Sequence, residues 1–235
     1  MKKKLDQYSG PLTPAEIVEG INISKRNAKR LAEDAKLLFD LGRYPSSAAL
    51  SVLAIEESGK AHILRILAVA KNDEEIREAW KNFRSHTKKN VHWLLPQVLE
   101  KGARKLEDFR PLFDRESEHP FLLDQIKQIS FYTDCLGKKH WSYPDKVIDA
   151  ETAEILLKNA QTLSSWKQVS IREIELWIKH MKPVWKNKEW MKKALENWYS
   201  EMQSEGLKPE GENIMAGFIR HGIGSDKGEK ESGGK

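Results

Sequence analysis

The chain has 235 residues, 39% of them hydrophobic and 32% charged, and its 40 Lys and Arg exceed 35 Asp and Glu for a net charge of +5. That balance describes a folded protein with a densely charged surface, long enough for one sizeable domain with a helical extension, and the modest basic excess permits contact with nucleic acid or an acidic partner without requiring either. The lone Cys135 excludes an intrachain disulfide framework and a cysteine-rich zinc site, no apolar run nears the roughly 18–20 residues that cross a bilayer, and the basic start leads into Leu5-Asp6-Gln7-Tyr8 rather than a signal-peptide core, so the expected compartment is the cytoplasm.

Apolar residues recur at helical spacing almost throughout, with no convincing strand alternation. After an N-terminal segment, 1–12, a first helix opens at Thr13, where Pro14 and Glu16 complete a capping arrangement; its stripe runs Ile17, Ile21, Ala28, Leu31, Ala35, Leu38 and stops near Gly42. A second helix follows Pro45 and reaches about Lys71. Asn72-Asp73 caps a third, with a stripe of Ile76, Trp80, Phe83, Thr87, Val91 and Leu94 that Pro96 interrupts. A charged, irregular stretch over 102–120 precedes a helix expected at 121–135 and a loop carrying Trp141 and Tyr143. Asp149 then caps a helix expected to run unbroken to Met181, and Pro183 separates it from a last helix ending near Gly206. The domain is thus read as 13–205, with a flexible tail over 206–235, disordered from 222 onward.

The second helix carries the strongest signal. Its run from Ala48 to Ala70 is nearly all apolar, yet Glu56, Glu57 and Lys60 sit in the middle. At 100° per residue Glu56 falls at the centre of the stripe formed by Ala49, Val52, Leu53, Ile63 and Leu67, with Lys60 one turn on, while Ser47, Ser51, Ser58 and Arg65 take the opposite side. A carboxylate there loses several kcal/mol of hydration unless it is paired, so Glu56 is expected to be buried and bonded to Lys60 or to a group on another helix. Gly59, on the same flank, forfeits about 1 kcal/mol of helix propensity and points to a second backbone close by. Two readings stand: an ion pair that holds the bundle together, or a polar cleft lined by Glu56 and Glu57.

The third helix adds Arg84-Ser85-His86-Thr87-Lys88-Lys89-Asn90. Arg84 and His86 flank opposite edges of its stripe, so both border a groove without touching within the helix, and Lys89 lies on the side of His86. A histidine is the natural acid or base near neutral pH, although one on a helix flank is as readily structural. The last helices interleave Trp177, Trp185, Trp190 and Trp198 with lysines, a pattern compatible with base stacking but already explained by ordinary amphipathic packing. No phosphate-cradling glycine loop, zinc motif or nucleophile elbow is present, and neither metal nor cofactor is expected.

Together these segments resemble the AbiV family of abortive-infection proteins, a divergent branch of the HEPN superfamily. The residues that carry the resemblance are Asn27-Ala28-Lys29-Arg30-Leu31-Ala32-Glu33-Asp34-Ala35, Arg43-Tyr44 leading through Ala48-Ala49 to Glu56-Glu57-Ser58-Gly59-Lys60, then Phe83-Arg84-Ser85-His86-Thr87-Lys88-Lys89 and Phe131-Tyr132-Thr133-Asp134 with Trp141 and Pro144, over roughly 14–165. The resemblance implies an all-α, HEPN-like helical bundle with additional C-terminal helices, often dimeric, acting in bacterial defence against phage. Many HEPN proteins are metal-independent ribonucleases that use an Arg and a His separated by four to six residues; here Arg84 and His92 have seven between them and Arg115 and His119 have three. Ribonuclease chemistry would therefore rest on a composite site of Glu56, Arg84 and His86, with Glu57, Lys60 and Lys89 lining the cleft. The alternative is a non-catalytic protein that senses a phage protein. Expected partners are a second copy of the chain, a phage protein and RNA, and no membrane.

Overall fold

A computed structural model describes residues 5–114, 117–165 and 167–222. α1 (Pro14–Asp40) starts with the capping box read from Thr13 and Glu16, and Gly42 past its end adopts φ 69°. α2 (Tyr44–Ala68) follows antiparallel after a three-residue turn and is the helix around which the fold is built: α1, α3, α4, α6, α8 and α9 all pack on it. It is buried nearly all round, Ser47 and Ser51 included, so the side opposite the Glu56 stripe is largely interior as well. Ser47 tolerates this by donating its hydroxyl to the Ala35 carbonyl, 2.8 Å away.

The expected long third helix is two helices. α3 (Asp73–Arg84), capped by Asn72, ends at Ser85, whose extended backbone (ψ 128°) breaks the hydrogen-bond ladder and whose hydroxyl caps a new turn, α4 (His86–Lys89). α5 (Leu95–Glu100) and a 3₁₀ segment (Leu106–Phe113) lead to α6 (His119–Phe131). A hairpin of two three-residue strands then pairs Asp134–Leu136 with His140–Ser142, in the stretch read as helix end and loop. After the single turn α7 (Pro144–Val147), the helix expected to run from Asp149 to Met181 is likewise divided, into α8 (Ala150–Ser164) and α9 (Ile171–Val184). The second piece has its own start signal, a capping box between Ser170 and Glu173, which dictates a break that apolar periodicity does not reveal.

α10 (Lys188–Ser204) packs on α9 through Met181, Ala194, Trp177 and Leu195. The segment read as a flexible tail from 206 contains an eight-residue helix, α11 (Ile214–His221), capped by Asn213 and tied to α10 by Arg220, whose guanidinium lies 2.9 Å from Glu196. The disorder expected beyond 222 lies outside the described residues. No described helix is long and apolar enough to cross a membrane.

The N-terminal segment is strapped onto α3. Trp80 donates its indole N–H to the Gly10 carbonyl at 2.8 Å, Tyr8 packs edge-on against the Trp80 ring, and Arg84 donates to the Tyr8 carbonyl.

Candidate functional site

The centre of the fold is a charged knot around Glu56. α2 buries this residue to 2% exposure, facing α4 and α6. Its two carboxylate oxygens are shared out: Oε1 accepts from Lys127 Nζ at 2.6 Å, and Oε2 lies 2.7 Å from His86 Nδ1 and 3.3 Å from Lys89 Nζ. Lys127 also reaches Asp124 at 2.7 Å. Burial pushes the Glu56 carboxyl up, but the hydrogen bonds from Lys127 and His86 and the charge of Lys89 outweigh it and hold the group below the ordinary carboxylate range. Burial pulls Lys127 down, yet Asp124 and Glu56 together raise it, so the knot consists of charged partners.

Gly59 sets the distance between the elements that carry these groups. A Cβ at this position would lie 2.0 Å from the Lys89 carbonyl oxygen, so only glycine lets the α4 backbone rest on α2. That is the close approach expected from the sequence, and it places α4 where His86 and Lys89 meet Glu56.

The remaining residues singled out from the sequence fall elsewhere. Lys60 does not pair with Glu56; its ammonium sits 2.5 Å from Glu57 and over the Phe83 ring, making a separate half-buried pair toward α3. Arg84 does not join Glu56 and His86 either: it is stacked 5.1 Å over Trp80 and bound to the Tyr8 carbonyl. The second outcome follows from Ser85, because the extended backbone there ends α3 and separates Arg84 from His86. Lys89 is in the knot but buried.

Lys127 and Asp124 were missed, although α6 carries a signal. Lys127 stands among Pro120, Leu123 and Ser130 on its buried face, as Glu56 does on α2, and two buried opposite charges on separate helices are each other's natural partners.

Glu56, His86 and Asp124 bring ligand atoms within 4.8 Å of one another, a grouping that would suit a metal ion. The Lys127 ammonium already lies between the two carboxylates, so a divalent cation would have to displace it and break both ion pairs. The knot fits an internal ammonium better than a metal.

His86 is the member most open to water, its side chain 56% exposed against 30% for Asp124. Nδ1 faces Glu56 Oε2 and, at 3.1 Å, the Lys127 ammonium, which leaves Nε2 on the outward edge of the ring. A ring oriented on one side by a buried acid and open on the other can accept and return a proton.

The architecture is an all-α bundle built on one buried helix with a charged centre. The AbiV family model matches residues 16–165, and the chain belongs to this family of HEPN-like abortive-infection proteins. Comparisons with curated proteins and with solved structures found no match.

Proposed function

We propose that the chain is an abortive-infection effector in bacterial defence against phage, with His86, held by Glu56, as its working group and RNA as its target. The observation that carries this reading is the 2.7 Å contact between a buried carboxylate and the inner nitrogen of an otherwise exposed imidazole. In RNA cleavage, Nε2 takes the proton of a 2′-hydroxyl while the 2′-oxygen bonds to the neighbouring phosphorus. The 5′-oxygen leaves with a proton from water, giving a cyclic phosphate and a 5′-hydroxyl end. Arg84 is held at the Tyr8 carbonyl and Lys89 is buried against Glu56, so this reading assigns the counter-charge for the phosphorane to a second copy of the chain. A homodimer is part of the proposal, supported by the exposed apolar side chains Phe121, Leu122 and Trp141, and light scattering at micromolar concentration tests it.

The same engagement of Arg84 and Lys89 favours a second reading, a non-catalytic sensor in which His86 helps hold a phage protein. Phage plating with His86→Ala, paired with incubation of the purified protein with RNA, separates the two. Loss of protection with RNA cleaved by wild type and not by the variant supports the effector. Loss of protection with RNA untouched by either supports the sensor. A folded His86→Ala that protects fully refutes both, and exposed Lys88→Ala serves as the control.

A further inference from the structure

A second feature of the fold lies on the other side of α2 from the knot. A cavity of about 580 Å³ opens between α1, α2, α5, α9 and α10. Four cationic side chains line it, Lys25, Arg65, Lys167 and Lys208, against the single carboxylate of Glu173. Glu173 is already occupied: it completes the α9 capping box and meets Lys208 at 4.0 Å. Among the described residues the Arg65 guanidinium has no hydrogen bond or ion pair, only the more distant field of Glu173. A half-buried, always-charged fork of five donors without a close acceptor is an unusual thing for a fold to retain.

The other walls suit an organic body. Ile55, Leu95, Leu163 and Ile174 make them apolar, and the rings of His62 and His92 meet edge to face with centroids 4.9 Å apart. Ser58 Oγ and Trp198 Nε1, on lining residues, are buried polar atoms without a partner. The field inside is positive: burial, followed by the charges of Arg65 and Lys208, brings Lys25 down to about 8, and burial with neighbouring His92 and Arg65 brings His62 down to about 3. His62 is open to the cavity interior but crowded by its walls, so both effects act on a ring that a ligand can reach.

We propose that this cavity binds an organic phosphate, a phosphomonoester with an aromatic or similarly flat apolar body, its phosphate at Arg65 and Lys208 and its body against Ile55, Leu95 and the paired imidazoles. The volume lies within the range of small-molecule sites, and a guanidinium with flanking lysines is the arrangement that takes a phosphate in two parallel hydrogen bonds. The assignment is independent of any chemistry at His86.

Titration calorimetry of the full chain with 5′-AMP, phenyl phosphate, adenosine and inorganic phosphate tests it. The expected result is binding of at least one of the two phosphomonoesters, no detectable binding of adenosine, and inorganic phosphate weaker by about tenfold or more. Arg65→Gln should weaken the bound phosphomonoester by about tenfold or more, as loss of a charge-assisted contact does, and affinity should fall as salt rises. Lys208→Gln, on the accessible rim, gives the same direction with less risk to folding. The proposal is overturned if neither phosphomonoester binds, if adenosine binds as well as 5′-AMP, or if a folded Arg65→Gln or Lys208→Gln binds as wild type does.

Discussion

Gly59→Ala should lower stability, although the same change elsewhere in a helix raises it. Alanine in place of a mid-helix glycine gains about 1 kcal/mol of propensity. Against this, the new methyl would stand 2.0 Å from the Lys89 carbonyl oxygen, 2.9 Å from its carbon and 3.1 Å from its Cα. Carbon–oxygen contacts settle near about 3.3 Å, so α4 would have to retreat by roughly 1.3 Å, and backbone cannot swing aside as a side-chain tip does. Overpacking of this kind costs about 1–3 kcal/mol. The retreat would also stretch the 2.7 Å His86–Glu56 and 3.3 Å Lys89–Glu56 contacts, leaving part of a buried charge uncompensated. Strain and weakened contacts together exceed the propensity gain, for a net loss of about 1–2 kcal/mol, a fall in Tm of roughly 2–8 °C for a chain of this size. Thermal melts followed by circular dichroism check it, with Gly217→Ala in α11 as the control, because a Cβ there meets nothing within 4 Å. A Gly59→Ala protein that melts at or above wild type would refute the close-contact argument.

Glu56→Gln should cost about 3 kcal/mol in denaturant unfolding, since it leaves Lys89 buried without a carboxylate and Lys127 with Asp124 alone. The wild-type Glu56 carboxyl is held below its ordinary 4.5, so its contribution is present above that pH and lost as pH falls through the folded value; the variant should lack this part of the acid limb. His62 acts in a different window. Its folded value is about 3 against an ordinary 6.5, so below pH 6.5 the unfolded chain takes up a proton that the folded chain refuses, and stability declines toward pH 3; His62→Gln should flatten that decline in melts across pH. Because the ring faces the open cavity, the slope should fall short of a full proton. His86→Ala should change stability by less than about 1.5 kcal/mol, its ring being largely exposed, so a far larger drop in its melt would mark the residue as structural. Trp80→Phe should cost about 1 kcal/mol through its bond to Gly10, and an unchanged melt would mean that the strap contributes nothing.

Local signals in the sequence translated well into structure. Thr13, Asn72 and Asp149 are caps as read, and Gly59 marks a backbone contact because a glycine in an otherwise apolar helix has few other reasons to be there. Burial of Glu56 followed from its angle on the helix, but its partners did not: Lys127 is 71 residues away on another helix, and only the packing of α6 on α2 brings the two together. Lys60 was the tempting partner because it is one turn along, yet its ammonium reaches Glu57 instead. Ser85 and Ser170 start new helices where the apolar stripe runs on, so periodicity joined what their hydroxyls divide. The cavity went unread because a helix wheel assumes one wet side. The wheel puts Arg65 and Ser58 only on the side of α2 opposite the Glu56 stripe, and they line the cavity together with His62, which the sequence did not single out.

The strap of residues 8–10 on α3 has a consequence for how the chain comes together. Its two hydrogen bonds span 70 and 76 residues, so residues 8–10 lack these partners until synthesis has reached residue 80 and then 84. α1 and α2 can pair as a hairpin long before that, since their contacts are local. The strap therefore finds its place after the α1–α2 hairpin, and Arg84 remains uncommitted until it does.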